Sequence, residues 1–479
     1  MNILGKYARI GSDMKCVVYE FQNGVAHLIG LRSSTIQSVG KRQANVLHIC
    51  ILVLLGISLV AAFLLKFAKT VRGLGDFQMF WTGARALDLG LDPYKPESWQ
   101  IVFPSGSNGL EYFSPIFLAE LQSPLGLLGI HSAKLIWNFA SLLIILFVLG
   151  LLLKMSKVKQ RFGYLAIAFA VLTFNPIIFM FGNGQTDALV LLGIVLSMYL
   201  LESGRSFLAG LSLCIGGVNP HLIVGVAVYY VLRSVMKRDF QLFLGMLSGG
   251  AFLFAVSIPY LSYLVEWVRT VLPHAQREAF GLPNEITFTH IVWSFVKGPA
   301  VSALTALWEV INLVMAFLFW RRSHFANTLK DVATAILLTL STATYSFNQD
   351  YVILLAFIPY ILVTLSKGKV ENGKTLLPLL IVIGLLFSPL TGDMIPLSKL
   401  GYEIVFPPLV LIGAIIGNQT FHTFRIQSRR LYITSACAVW LASLLVCELS
   451  LYLGNALVQE ILLILVVFVA LMSLRSKEV

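Results

Sequence analysis

Between residues 46 and 67 the chain carries an apolar run as long as a bilayer core is thick, and similar runs recur to its C-terminal end. In hydrocarbon, every backbone N–H and C=O must find its partner inside the protein, so a chain built this way folds as packed helices. The composition agrees. Of the 479 residues, 57% are hydrophobic and only 12% charged, against about 25% charged in soluble domains. The expected fold is all-α and polytopic, with roughly 12 to 14 spans.

The formal charge of +12 points to topology rather than to nucleic acid. The basic residues cluster in short loops between apolar runs, where the positive-inside rule places them. About 25 of the 35 Lys and Arg fall in the proposed inside segments and about 8 in the outside loops. On this count both termini are cytoplasmic. Residues 1–45 form a polar cytoplasmic leader, 46–365 a transmembrane core with external loops at 68–132 and 261–298, and 366–479 a set of C-terminal spans. The five cysteines (Cys16, Cys50, Cys214, Cys437 and Cys447) show neither a disulfide framework nor metal-ligand spacing. No metal or other cofactor is expected, and neither a cleavable signal nor an internal repeat is visible.

One stretch behind the first span stands out. Asp76 directly precedes a helical pattern in which Phe77, Phe80, Trp81, Ala84 and Leu87 form one apolar face. Gly90 and Asp92-Pro93-Tyr94 end it. A carboxylate thus stands where a membrane helix hands over to an interfacial amphipathic helix. Other polar residues collect on the same side of the membrane: Gln185 and Asp187 at one span end, Gln349 and Asp350 at another. Residues 207–232 are apolar but broken at Asn219-Pro220-His221. Such a break is tolerated in a membrane only where it lines protein or a water-filled cavity. Together these residues predict an external site whose substrate arrives from the lipid.

The chemistry open to such a site is limited. A sugar on a polyprenyl phosphate already has an acidic leaving group, so an inverting displacement needs one base and no general acid. Glycoside hydrolysis, with its poor leaving group, needs two carboxylates. Asp76 is the candidate base, and Arg85, His221 and Arg277 are candidates to hold the phosphate as charge develops on it. Each residue also has a plainer role. Asp76 fits a helix N-cap, Asn183-Gly184-Gln185 a tight turn, Asp187 and Asp350 solvated span ends, and His221 a partner for backbone carbonyls freed by the break.

The stretch Gly75 to Tyr94, with Asp76-Phe77 at its head and the Gly90 to Tyr94 turn at its foot, resembles the first external loop of GT-C fold glycosyltransferases. The closest likeness is to glycosyltransferase family 87, the bacterial polyprenol-phosphate-mannose-dependent mannosyltransferases. Phe113-Ser114-Pro115 with Pro124, Gly184-Gln185, Asn219-Pro220 and Gln349-Asp350-Tyr351 are similar to later motifs of that family, in order. The resemblance spans roughly residues 46 to 365. It implies a GT-C core, Asp76 as the base, and a pocket holding Arg85, Gln185, Asp187, Asn219, His221, Arg277, Gln349 and Asp350. It further implies a hexose donor on polyprenyl phosphate, mannose being the expected sugar, a lipid or glycan acceptor, and a bacterial inner membrane with the site outside. Departures exist: Asn219 stands where the family has lysine, Phe113-Ser114 where it has Tyr-Pro, and Gln349-Asp350 where some members carry histidine. The rival functions are a transporter or flippase of lipid-linked sugars, for which inverted repeats would be expected, and a GT-C-like scaffold that binds without turnover.

Overall fold

The computed structural model describes residues 73–103, 111–156, 174–279, 298–343 and 345–360, with the single positions 292, 296 and 363. All lie within the compact unit Lys66–Val479. The leader at 1–45, the first span at 46–67 and the late spans from 375 onward lie outside the described residues.

The described chain is helical, and among its residues there is no strand. Helix α1 (Phe77–Asp88) is followed by α2 (Pro96–Val102) and α3 (Ile116–Gly126) in the first loop. Then come α4 (Ile130–Ser156), α5 (Asn175–Asn183), α6 (Asp187–Glu202) and α7 (Ser206–Leu213). Two short 3-10 turns, Cys214–Val218 and Pro220–Leu222, lead into α8 (Val224–Lys237). The broken span expected at 207–232 is therefore present, and the break falls at Asn219. Proline has no N–H to donate, so the α-helical ladder cannot run through position 220.

Among the described residues, three helical stretches are long and apolar enough to cross a membrane: Ile130–Ser156, Phe240–Ala275 and Pro299–Arg322. On α4 the side chains Leu135, Ile136, Phe139, Leu143, Leu146 and Phe147 are exposed, while Trp137, Ser141, Ile145, Val148 and Leu152 are buried. An exposed face made wholly of large apolar residues is a lipid-facing surface.

Two segments differ from the sequence expectation. Residues 261–279, expected in an external loop, continue helix α9 (Phe240–Ser257) through a 3-10 turn, α10 (Leu261–Glu266), a π turn (Trp267–Val271) and α11 (Leu272–Ala279). This extension docks on the first loop. The Trp267 indole donates to Phe113 O at 2.7 Å, Lys95 meets Glu266 at 2.5 Å, and His274 meets Glu111 at 2.9 Å. Sequence periodicity saw a polar loop because these partners come from residues more than 150 positions away. The segment expected as a span at 351–365 begins as a ten-residue 3-10 helix, Asn348–Phe357. The two remaining helices, α12 (Pro299–Arg322) and α13 (Thr328–Thr342), match their expected spans closely.

Small residues set the closest helix contact. A Cβ on Gly245 would lie 2.0 Å from Phe207 O, and one on Gly210 would lie 2.1 Å from Leu242 O. Gly249, one turn on, faces Cys214. With Gly245 and Gly249 four apart, α9 lies directly against α7, the packing that small residues permit between membrane helices. Gly245→Val should therefore lower stability by about 1–3 kcal/mol. Thermal unfolding of the purified protein would read this, with Gly250→Ala, at a position open to space, expected to unfold as the parent does.

Candidate functional site

The site grows from two left-handed glycines. Gly75 has φ +56° and Gly184 has φ +66°, a conformation that side chains with a Cβ rarely adopt. A Cβ on Gly75 would sit 2.7 Å from Asn183 Cα, and one on Gly184 would sit 2.7 Å from Phe77 Cβ. The turn before α1 and the turn between α5 and α6 thus interlock backbone to backbone. Phe77 is buried against Ala133 and Trp137 of α4.

Helix α4 holds this joint with three donors on one face. Lys134 is 4% exposed, and its ammonium donates to Gly73 O and, at 2.5 Å, to Gly182 O. Trp137 Nε1 donates to Gln185 O at 3.2 Å, and Asn138 Nδ2 donates to Phe181 O at 3.2 Å. Positions i, i+3 and i+4 share a helix face, and here all three grip the two turns. Lys134 was not among the residues singled out from the sequence. Its signal was present: a lysine one turn inside a membrane-length helix, with Trp and Asn following on the same face.

The turn delivers Gln185 to Asp76. Gln185 Nε2 donates to Asp76 Oδ2 at 2.5 Å. Asp76 occupies the residue before α1, but its side chain makes no capping hydrogen bond. Only its backbone carbonyl serves the helix, accepting from Met79 N–H at 3.0 Å. The carboxylate is therefore free for a role other than capping. Burial pushes the Asp76 carboxyl above the ordinary value of 3.8; the Gln185 hydrogen bond opposes this, the Asp350 charge adds to it, and the Lys134 charge opposes it.

Around this pair the fold collects further polar groups. Asp187, the first residue of α6, is fully buried and interacts electrostatically with Asp350 and Asp76. It faces the Asn219 amide, while no hydrogen bond of regular geometry reaches either carboxylate oxygen. Asp350 is 3% exposed; its Oδ2 accepts from Phe347 N–H at 2.8 Å and lies 3.9 Å from His221 Nε2. The His221 ring rests 4.3 Å from the Tyr345 ring, and neither of its nitrogens donates to or accepts from a described residue. His221 thus does not serve the carbonyls of the helix break. Asp187 and Asp350 are buried rather than solvated.

Of the remaining expected pocket residues, Arg85 stands apart from Asp76. Arg85 lies nine residues down α1 from Asp76, about 13 Å along the helix axis at 1.5 Å per residue. There its backbone abuts Gly126 of α3. The cation whose charge acts on Asp76 is Lys134 instead. Arg277 falls within α11, and its side chain is outside the described part of the structure. Gln349 is 5% exposed and sits beside Asp350 at the head of the 3-10 helix. Among the described residues, no group of three His, Cys, Asp or Glu is arranged to hold a metal ion.

With this geometry in hand, comparison is informative. Over residues 112–347, just under half the chain, the sequence matches the model of glycosyltransferase family 87, and the match supports a glycosyltransferase activity for this membrane protein. No curated protein and no solved structure matches the chain. The matched region includes Lys134, Gln185, Asp187, Asn219 and His221. It begins after Asp76 and ends before Asp350.

The joint yields a prediction about pH. A base acts in its ionised form, so if Asp76 serves as the base, glycosyl transfer rises with pH through its displaced value. Lys134→Met removes a cation that favours the ionised form. It should move the acid limb of the rate profile upward by about one pH unit, and Lys134→Arg should move it less. An unchanged limb in a Lys134→Met protein of normal thermal stability would show that the lysine acts only as a brace.

Proposed function

We propose that this glycosyltransferase moves a hexose, mannose being the expected sugar, from a polyprenyl phosphate to a lipid or glycan acceptor with inversion. The transfer takes place on the external face of what we propose is a bacterial inner membrane, with both termini cytoplasmic. The observation that carries this reading is Asp76 itself: a carboxylate that caps no helix, is oriented by Gln185, and stands among buried polar side chains from three separate segments.

In this mechanism the Asp76 carboxylate takes the proton of the acceptor hydroxyl. The freed oxygen attacks the anomeric carbon, the bond from that carbon to the phosphate oxygen breaks, and polyprenyl phosphate departs with the bonding pair. General-base assistance of this kind contributes about 10²- to 10⁴-fold. Burial that raises the carboxyl also makes its ionised form a better proton acceptor, and the Gln185 hydrogen bond holds Oδ2, leaving Oδ1 to take the proton. Asp187 and Asp350 offer acceptors for sugar or acceptor hydroxyls, with Asn219 and Gln349 as amide partners. His221 is a candidate for holding the departing phosphate: neither ring nitrogen has a hydrogen-bond partner, and Nε2 lies 3.9 Å from Asp350 Oδ2. Arg85 and Arg277 are proposed as donor-binding residues on the resemblance alone. The polyprenyl tail stays in the bilayer throughout.

The test is transfer of labelled sugar from polyprenyl-phosphate-mannose by purified protein. Asp76→Asn should reduce turnover by about a hundredfold or more while binding of the donor persists. Equal turnover by the variant would remove Asp76 from the role of base and move attention to Asp187 and Asp350. If parent and variant both bind the donor and neither turns it over, across a panel of lipid-linked sugars, the protein is a binding scaffold.

A further inference from the structure

At the end of the bundle away from Asp76, a second polar feature takes no part in this chemistry. Helix α8 starts beside the His221 break and runs 14 residues to Lys237, about 20 Å along its axis. There it meets the C-terminal end of α12. Between the two lies a hollow of about 680 Å³ lined by Met236, Lys237, Leu318, Arg321, Arg322, His324 and Phe325. Four of these seven side chains are cationic or can become so, and none is acidic. Among the described residues none of the four enters an ion pair.

The backbone here is built against local preference. His324 and Phe325 hold φ at +51° and +53°, a left-handed pair without glycine. Such strain persists only where surrounding contacts impose it, and it gathers at binding sites. The contacts are on hand. Phe325 N–H donates to Trp320 O at 3.1 Å, Arg233 Nη1 donates to Phe325 O at 2.7 Å, and the Phe325 ring stacks on Tyr229. With Phe325 pinned inside, His324 is turned out to the hollow's wall. Asp331 on α13 accepts from Ser323 at 2.8 Å and from Tyr229 at 3.3 Å, and it forms no ion pair with any of the four.

Above the cations the walls turn apolar. Met236 on α8 and Leu318 on α12, both lining the hollow, are exposed, as is Val314 one turn before Leu318. A groove that is cationic at its end and greasy along its length matches an amphiphile with a phosphate head and acyl tails. We propose that this hollow binds an anionic phospholipid, its headgroup phosphate held by Arg321, Arg322 and Lys237 and its tails lying along Leu318 and Val314. Guanidinium groups suit this task because their paired donors match phosphate oxygens. Lys237, on a different helix, joins Arg321 and Arg322 beside the strained turn. This inference is independent of the transfer reaction, and its test measures no turnover.

The full-length protein would be released from nanodiscs of phosphatidylcholine with phosphatidylglycerol, and the lipid it retains identified by native mass spectrometry. The parent should keep phosphatidylglycerol over phosphatidylcholine by about tenfold or more. Arg321→Gln/Arg322→Gln should abolish that preference, and Arg321→Lys/Arg322→Lys should keep part of it. The control pair Lys154→Gln/Arg205→Gln removes the same charge from the same end of the bundle and should leave the preference intact. Equal loss in both Gln pairs would overturn the proposal in favour of diffuse attraction. Displacement of the lipid by excess inorganic phosphate would overturn it in favour of a free-anion site. No preference in a parent of normal thermal stability would overturn it outright.

Discussion

A single buried ammonium holds the candidate site together. Lys134 stands one turn inside a helix long enough to span a membrane, a position where an unpaired charge is costly. It finds partners in the carbonyls of Gly73 and Gly182, from turns over 100 residues apart in sequence. Gly73 stands just before the left-handed Gly75, and Gly182 lies in the last turn of α5, where the final carbonyls have no helical partner. The cation and the orphaned carbonyls therefore satisfy one another, and in doing so they bring Asp76 within reach of Gln185. The charge of Lys134 then acts on the carboxylate it has helped to position.

The other half of the site comes from irregular backbone. A straight helix through 207–232 would place Asn219 and His221 on its surface, facing whatever the helix happened to meet. Pro220 interrupts it, and the interruption lets Asn219 face Asp187 and His221 approach Asp350. Likewise the 3-10 helix at Asn348–Phe357 has residues 349–357 buried, although long 3-10 runs are uncommon. Inside a membrane such departures survive where polar neighbours satisfy the freed groups. After the break Thr339 Oγ1 accepts from Gly225 N–H at 2.9 Å, and at the head of the 3-10 helix Asp350 accepts from Phe347 N–H at 2.8 Å.

The family match and the site geometry meet only in part. The matched region carries Lys134, Gln185, Asp187, Asn219 and His221. Asp76 lies before it and Asp350 after it, and both enter the site through contacts with matched residues. The first loop of the chain and the head of the late 3-10 helix are therefore tied to the core by hydrogen bonds and charge, whichever part of the sequence is the more typical of the family.

Much of this was legible in the residues. Apolar run length determined that the chain is a helical membrane protein, because the bilayer accepts few other solutions. The positions of α4, α6, α12 and α13, the break at Asn219 and the helix behind Asp76 followed from periodicity and from proline's missing N–H. The likeness of the first loop drew attention to Asp76. Tertiary structure alone decided that Asp76 does not cap its helix, that Arg85 lies a helix length away, and that Lys134 is the cation beside it. It also decided that 261–279 is helical and docked on the first loop, and that four basic residues share one hollow with a strained turn. The reason is physical. Hydrophobic period and local stereochemistry act over one or two helical turns, whereas Lys134 with Gly182, Gln185 with Asp76, and Arg233 with Phe325 are pairings between distant segments that exist only once the helices have packed.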